Sequence, residues 1–132
     1  MLFRSYEHWH EYRKVAYDLI LESEGLTTTY LDNEVEAYIV HLFAANFNRT
    51  DIGEQAIAIQ MLTAMQTSKN YQPIADECLL INSFPLRRKR WPTERYFRDM
   101  GQIAYGMANL PKMEQHFESA SKVLHEVFKK IG

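Results

Sequence analysis

The chain of 132 residues carries a single cysteine, Cys78. An intramolecular disulfide is thereby excluded, as is a zinc site built from cysteine ligands. Five glycines and four prolines are few, which favours long regular elements over a succession of turns. No run approaches the roughly 18 consecutive apolar residues of a membrane span, and the opening MLFRSYEHWHEYRK lacks the apolar stretch of a signal peptide. No hairpin dipeptide such as Asn-Gly occurs, and no segment sustains a two-residue alternation. An excess of one charge is missing as well. Fifteen basic residues against 17 acidic ones leave a formal charge of −2, so the chain-wide basic field of a nucleic-acid-binding domain is absent. The expectation is a soluble, cytoplasmic protein with no membrane contact.

What the chain does have is packing material. Hydrophobic residues make up 46%, with seven Phe, eight Tyr, two Trp and six Met. They recur at helical spacing. Over residues 5–24, Trp9, Tyr12, Ala16 and Leu19 share a stripe, and Gly25 stands where a left-handed cap would end the helix. A second helix is predicted over 32–46, with Thr29 or Asp32 as N-cap and Val35, Tyr38, Leu42 and Ala45 on one stripe, broadened by Ile39 and Phe43. Asp51 and Glu54 resemble a capping box for a third helix reaching Met65, with Ile57, Met61, Ala64 and Met65 on one face. Pro73 suits the first turn of a fourth helix, and Pro85 stops it.

Pro92 and Thr93 begin a fifth helix with Tyr96, Met100, Ile103 and Met107 inward. Its strip of Gly101, Ala104 and Ala108 permits close helix approach. Ion pairs of Glu94 with Arg98 and Arg95 with Asp99 are expected on its outer face. Pro111 opens the last helix, where Met113, Phe117, Ala120, Leu124, Val127 and Ile131 repeat at 4-3-4-3-4. Glu118 with Lys122 and Glu126 with Lys130 line its wet face. The pattern predicts an all-α fold: a single domain over 1–132, built as a bundle of five or six mostly antiparallel helices.

Catalytic and metal constellations do not assemble. A di-iron bundle needs two Glu-x-x-His pairs, and the chain has one, Glu7 with His10. His8 and His10 are two apart, so a helix turns them roughly 200° away from each other. Cys78 sits in the apolar run CLLI, where a free thiol behaves as a small hydrophobe. Asp76 and Glu77 are helix neighbours that point to different faces. There is no phosphate loop, dinucleotide turn or nucleophile elbow. No catalytic residue, metal or cofactor is assigned, and the balance leans away from an enzyme.

The sharpest polar feature is the run Arg87, Arg88, Lys89, Arg90, followed by Trp91 and extended along the next helix by Arg95 and Arg98. As a functional site it is a contact for an anion or a partner protein, with the guanidinium groups on phosphate or carboxylate and Trp91 available for stacking. As a structural feature it is a solvated loop whose charges favour the C-terminus of the fourth helix. Nucleic-acid binding through the same loop is a weaker third use, since the whole chain is acidic. Tyr6, Tyr12, Tyr30, Tyr38, Tyr71, Tyr96 and Tyr105 either line a ligand pocket or sit at the core edge. The seam of the last helix serves the core or joins two copies as a homodimer.

The succession Asp76-Glu77-Cys78-Leu79-Leu80, Phe84-Pro85, a basic stretch, Tyr96, Gly101 and Ala104-Tyr105-Gly106 resembles a group of small all-helical bacterial proteins of unknown function. The earlier Glu36-Ala37-Tyr38-Ile39-Val40 and Leu42 are similar too. The resemblance implies a helical fold and a bacterial origin, and no activity. The function expected is that of a non-enzymatic helical binding protein acting as a homo-oligomer. The alternative is a small-molecule or nucleotide-phosphate binder using residues 87–91.

Overall fold

The 4-3-4-3 run from Met113 to Val127 becomes the centre of the molecule. In the computed structural model, which describes residues 6–84 and 94–131 with side chains from residue 11 onward, this run is divided between two helices. The described residues form α1 (Tyr6–Thr27), α2 (Asn33–Asn46), α3 (Ile57–Thr63) continued by a π-helical turn (Ala64–Ser68), α4 (Gln72–Ser83), α5 (Glu94–Met107), α6 (Pro111–Gln115) and α7 (Phe117–Ile131). No strand occurs among them, so the fold is all-α. Met113, Phe117, Ala120, Leu124 and Val127 are all buried, joined by Val123 and Phe128. α7 is therefore covered by α1, α2, α4 and α5, and its seam belongs to the core of one copy. Ile131, the last member, is half exposed.

The predicted last helix is broken at His116, whose backbone leaves helical geometry (φ −106°, ψ 22°). The short α6 that results closes the turn after α5, where Asn109 takes a left-handed φ of 63°. Asparagine tolerates that region better than most residues.

Two helix ends differ from expectation for visible reasons. α1 runs past Gly25 and stops at Thr28, which takes a left-handed φ of 48°. The Thr27 hydroxyl donates to the Ser23 carbonyl at 2.7 Å, and the Thr29 amide donates to the Glu24 carbonyl at 3.0 Å. These bonds carry the helix beyond the glycine. α3 begins five residues later than the capping-box pattern indicates, with Ala56 rather than Asp51 as N-cap. The Asp51 carboxylate is taken by Arg49 at 2.9 Å, and the Glu54 amide donates to the Asp51 carbonyl instead. Arg49 also donates twice to Glu77, at 3.0 Å each, and Glu77 accepts the Gly53 amide at 2.8 Å. That half-buried clamp holds the connection from α2 to α3 against α4. At the start of α2, by contrast, Asp32 caps as expected, accepting from the amides of Glu34 and Val35.

α5 docks in a rotation the apolar pattern did not indicate. Gly101, Ala104 and Tyr105 are buried, whereas Ile103 and Met107 are 50% and 49% exposed. The deciding contact is at Gly101, where an added Cβ would lie 2.4 Å from Phe117 Cε2 and 3.0 Å from Cys78 Cβ. Only glycine lets α5 approach the fully buried Phe117 ring and α4 this closely. Local ion pairs give way to tertiary ones in the same region. Arg98 pairs with Glu118 of α7 at 2.7 Å rather than with Glu94, and Lys130 reaches Glu22 of α1 at 3.2 Å rather than Glu126. Replacing Gly101 by Ala should therefore destabilise the fold by about 1–3 kcal/mol, the usual cost of overpacking. The gain in helix propensity of about 1 kcal/mol works the other way. Chemical denaturation of G101A measures the balance, and a midpoint at or above that of the parent would show that α5 is not held by this contact.

Candidate functional site

Three places on the molecule concentrate polar or exposed apolar groups. The first was not foreseen. Tyr38 of α2 and Tyr105 of α5 both donate to Oδ1 of Asp76 on α4, at 2.6 and 2.7 Å. Gln72 donates in turn to the Tyr38 oxygen at 2.9 Å, and the two phenol rings meet edge to face at 5.9 Å. Burial raises the Asp76 pKa, and the two phenol hydrogen bonds pull it part of the way back. Burial first, then the Asp76 charge, raise both phenols above their ordinary value. Both hydroxyls thus stay protonated donors around neutral pH. The cluster ties three helices together through hydrogen-bonded polar groups. Tyr38, Asp76 and Tyr105 lie far apart in the chain, so their meeting had no local signal. All three do lie within the stretches that carry the resemblance noted above. Of the other tyrosines, Tyr71 is buried while Tyr12 and Tyr30 are exposed, so no tyrosine-lined pocket forms among them.

The second place is a polar cleft of about 260 Å³ between the end of α4 and the starts of α5 and α7. Phe117 lies at its base. Arg95 and Arg98 line it from α5, and Ser121 and Lys122 from α7. Asn82 of α4 closes one side by donating to the Glu94 carbonyl at 3.1 Å. The acids Glu94 and Glu118 also line the cleft, and Glu118 is engaged by Arg98. Among the described residues neither Arg95 nor Lys122 has an ion-pair partner, so the expected pairs Arg95–Asp99 and Glu118–Lys122 are not formed. Of the contact residues predicted from the sequence, Arg87, Arg88, Lys89, Arg90 and Trp91 lie outside the described residues. Arg95 is the one that is described, and it is exposed on the cleft wall.

The third place is apolar. Tyr96, Met100, Ile103 and Met107 repeat at 4-3-4 along α5, the stripe expected to point inward. With the Gly101 side docked, Tyr96 and Met100 still pack against the edge of the core, and Ile103 and Met107 form a half-exposed end of the stripe. Arg95 and Arg98, on another flank of the helix, line the cleft instead. A smaller apolar face lies on α3 and the π-helical turn. Ile59, Leu62 and Met65 are 62%, 55% and 49% exposed there, so Met65 does not join Ile57, Met61 and Ala64 in the core.

Elsewhere the titratable groups read as structural. Cys78 is fully buried, and burial, with the nearby Glu77 charge, pushes its thiol up to about 12. His125 places Nδ1 3.1 Å from the Ser83 carbonyl. The side chains of Glu7, His8 and His10 lie outside those described, and among the described residues no three His, Cys, Asp or Glu side chains group as metal ligands. No described helix is long and apolar enough to cross a membrane. Set against protein-family models, curated proteins and solved structures, the chain matches none.

One buried acid has a measurable consequence. Glu24 is 5% exposed, and its Oε2 finds no hydrogen-bond partner among the described residues. Burial, then the carboxyl of Glu36 on α2, raise its pKa from an ordinary 4.5 to about 7, against a backbone hydrogen bond from Leu31. A raised carboxyl pKa means that the folded chain binds the proton more tightly than the unfolded one. The stabilisation is whole below about pH 4.5 and is lost as pH rises to about 7. Glu24→Gln should hold its denaturation midpoint between pH 5 and pH 8 better than the parent chain. Equal losses in the two proteins would place Glu24 in water.

Proposed function

We propose that this chain is a non-enzymatic helical binding protein that associates with a second copy of itself through the outer stripe of α5. The observation that carries the proposal is the 4-3-4 run Tyr96, Met100, Ile103 and Met107, of which Ile103 and Met107 are half exposed while Tyr96 and Met100 lie partly buried at the edge of the core. Apolar side chains at 4-3-4 spacing over three turns match the seam by which helices pair. Each copy would contribute the same stripe to an isologous contact. The α7 seam, the other candidate for pairing, is occupied within one copy. The α3 face is the weaker alternative, since it offers two side chains on a seven-residue helix and Met65 on the π-helical turn after it.

One further feature fits this role. Tyr38, Asp76 and Tyr105 lock α5 to α2 and α4, so the stripe is presented on a fixed support. A bacterial cytoplasm is the setting we propose, supported by the resemblance to bacterial helical proteins and by a chain with a single cysteine, Cys78.

Sedimentation equilibrium over a wide concentration range tests the pairing. The parent chain is expected to approach the mass of two copies. Ile103→Glu with Met107→Glu should remain at the mass of one, with little change in thermal stability, because both positions are half exposed already. A parent chain that stays at the mass of one copy at every concentration removes the proposal.

A further inference from the structure

We infer that the cleft between α4, α5 and α7 is a binding site for a small phosphate group, free or carried as a monoester. It lies on a different flank of α5 from the pairing stripe, and it stands whether or not the chain self-associates.

The cleft holds three cations against two acids. Arg98 is balanced by Glu118 and Asp99. Arg95 and Lys122, from two different helices, line one cavity without an ion-pair partner among the described residues. Glu94 is the acid of the lining that no cation engages among the described residues, so the cleft keeps a net positive charge that favours an anion, and a phosphate carries close to two negative charges at neutral pH. The guanidinium fork of Arg95 suits two phosphate oxygens at once, and Lys122 adds a point charge from the facing wall.

Arg98 can join them at small cost. Its pair with Glu118 is open to water, with the two side chains 32% and 68% exposed, and such pairs contribute little. A dianion entering the cleft would compete with Glu118 for the guanidinium. Ser121 and the side-chain amide of Asn82 supply neutral polar groups on the walls, while Glu94 can accept from a protonated phosphate oxygen or from a hydroxyl of an ester. The size selects further. About 260 Å³ falls below the roughly 300–1,000 Å³ of sites that enclose a whole small molecule. The cleft therefore takes the phosphate head, and any organic remainder projects into solvent. A nucleotide base would find no enclosure among the described residues.

Titration of isotope-labelled protein with inorganic phosphate and, separately, with methyl phosphate, followed by NMR at constant ionic strength with chloride as the balancing anion, tests the site. Saturable shifts are expected at residues around the cleft. Tighter binding of methyl phosphate would indicate an esterified ligand, and tighter binding of inorganic phosphate a free one. Arg95→Ala with Lys122→Ala should weaken binding at least about tenfold. Both side chains are exposed and make no ion pair among the described residues, so the variant should keep its helical circular dichroism. Arg13→Ala with Lys14→Ala removes the same charge from exposed positions on α1 and should change affinity by less than about twofold. Absence of saturable shifts in the parent chain, or equal weakening in both double variants, would overturn the assignment.

Discussion

The contact between Gly101 and the Phe117 ring sets the rotation of α5, and the character of the molecular surface depends on that rotation. A helix with small residues on one side and Met, Ile and Tyr on another has two apolar faces to choose from. Burying the larger side chains would remove more apolar area from water. The structure instead buries Gly101, Ala104 and Tyr105. It does so because Phe117 and Cys78 leave no room for a Cβ at position 101, and because Tyr105 must reach Asp76. Shape and one polar tie outweigh gross hydrophobic area here. Ile103 and Met107 are left half exposed on the flank, while Tyr96, Phe97 and Met100 pack partly against the core.

The same balance explains which parts of the fold were legible in the sequence. The Met113–Val127 periodicity identified the buried face of the last helices correctly, since a single continuous apolar stripe on an otherwise charged helix admits one orientation. Asp32, Pro73 and Pro111 marked helix starts through purely local chemistry, and each stands at or within the first turn of a helix. α5 was legible in part, because its periodicity is satisfied twice: Gly101 and Ala104 dock closely as the small-residue strip implies and Tyr96 and Met100 pack against the core, whereas Ile103 and Met107 stay half exposed. The start of α3 was misjudged because a tertiary clamp, Arg49 on Glu77, holds the preceding residues in a loop that no local pattern describes. Surface ion pairs failed in the same way: i,i+4 spacing makes a pair available, and Glu118 and Glu22 on neighbouring helices provided other partners for Arg98 and Lys130.

The polar sites were legible only in part. Arg95 was picked out as part of a basic stretch, and it does line the cleft. Lys122 and Ser121 come from a helix more than twenty residues later, so nothing local joined them to it. The Tyr38–Asp76–Tyr105 cluster draws on three helices and was invisible to spacing arguments. Its chemistry is restrained: two phenols held protonated around a desolvated carboxylate fix helices in place. The cluster and the Gly101 contact hold the same face of α5, one turn apart. Together they fix which flanks of α5 are displayed, the apolar one on which the proposed pairing rests and the cationic one on which the proposed phosphate site rests.

The central claim is that the flank carrying Ile103 meets its counterpart on a second copy. Cys78 is fully buried, so Ile103→Cys introduces one accessible thiol on a half-exposed position. Oxidative cross-linking of that variant should yield covalent dimers. The matching variant at the exposed Ala58 of α3 should stay uncrosslinked under the same conditions. Covalent dimers in equal yield from both positions, or from neither, would contradict the account.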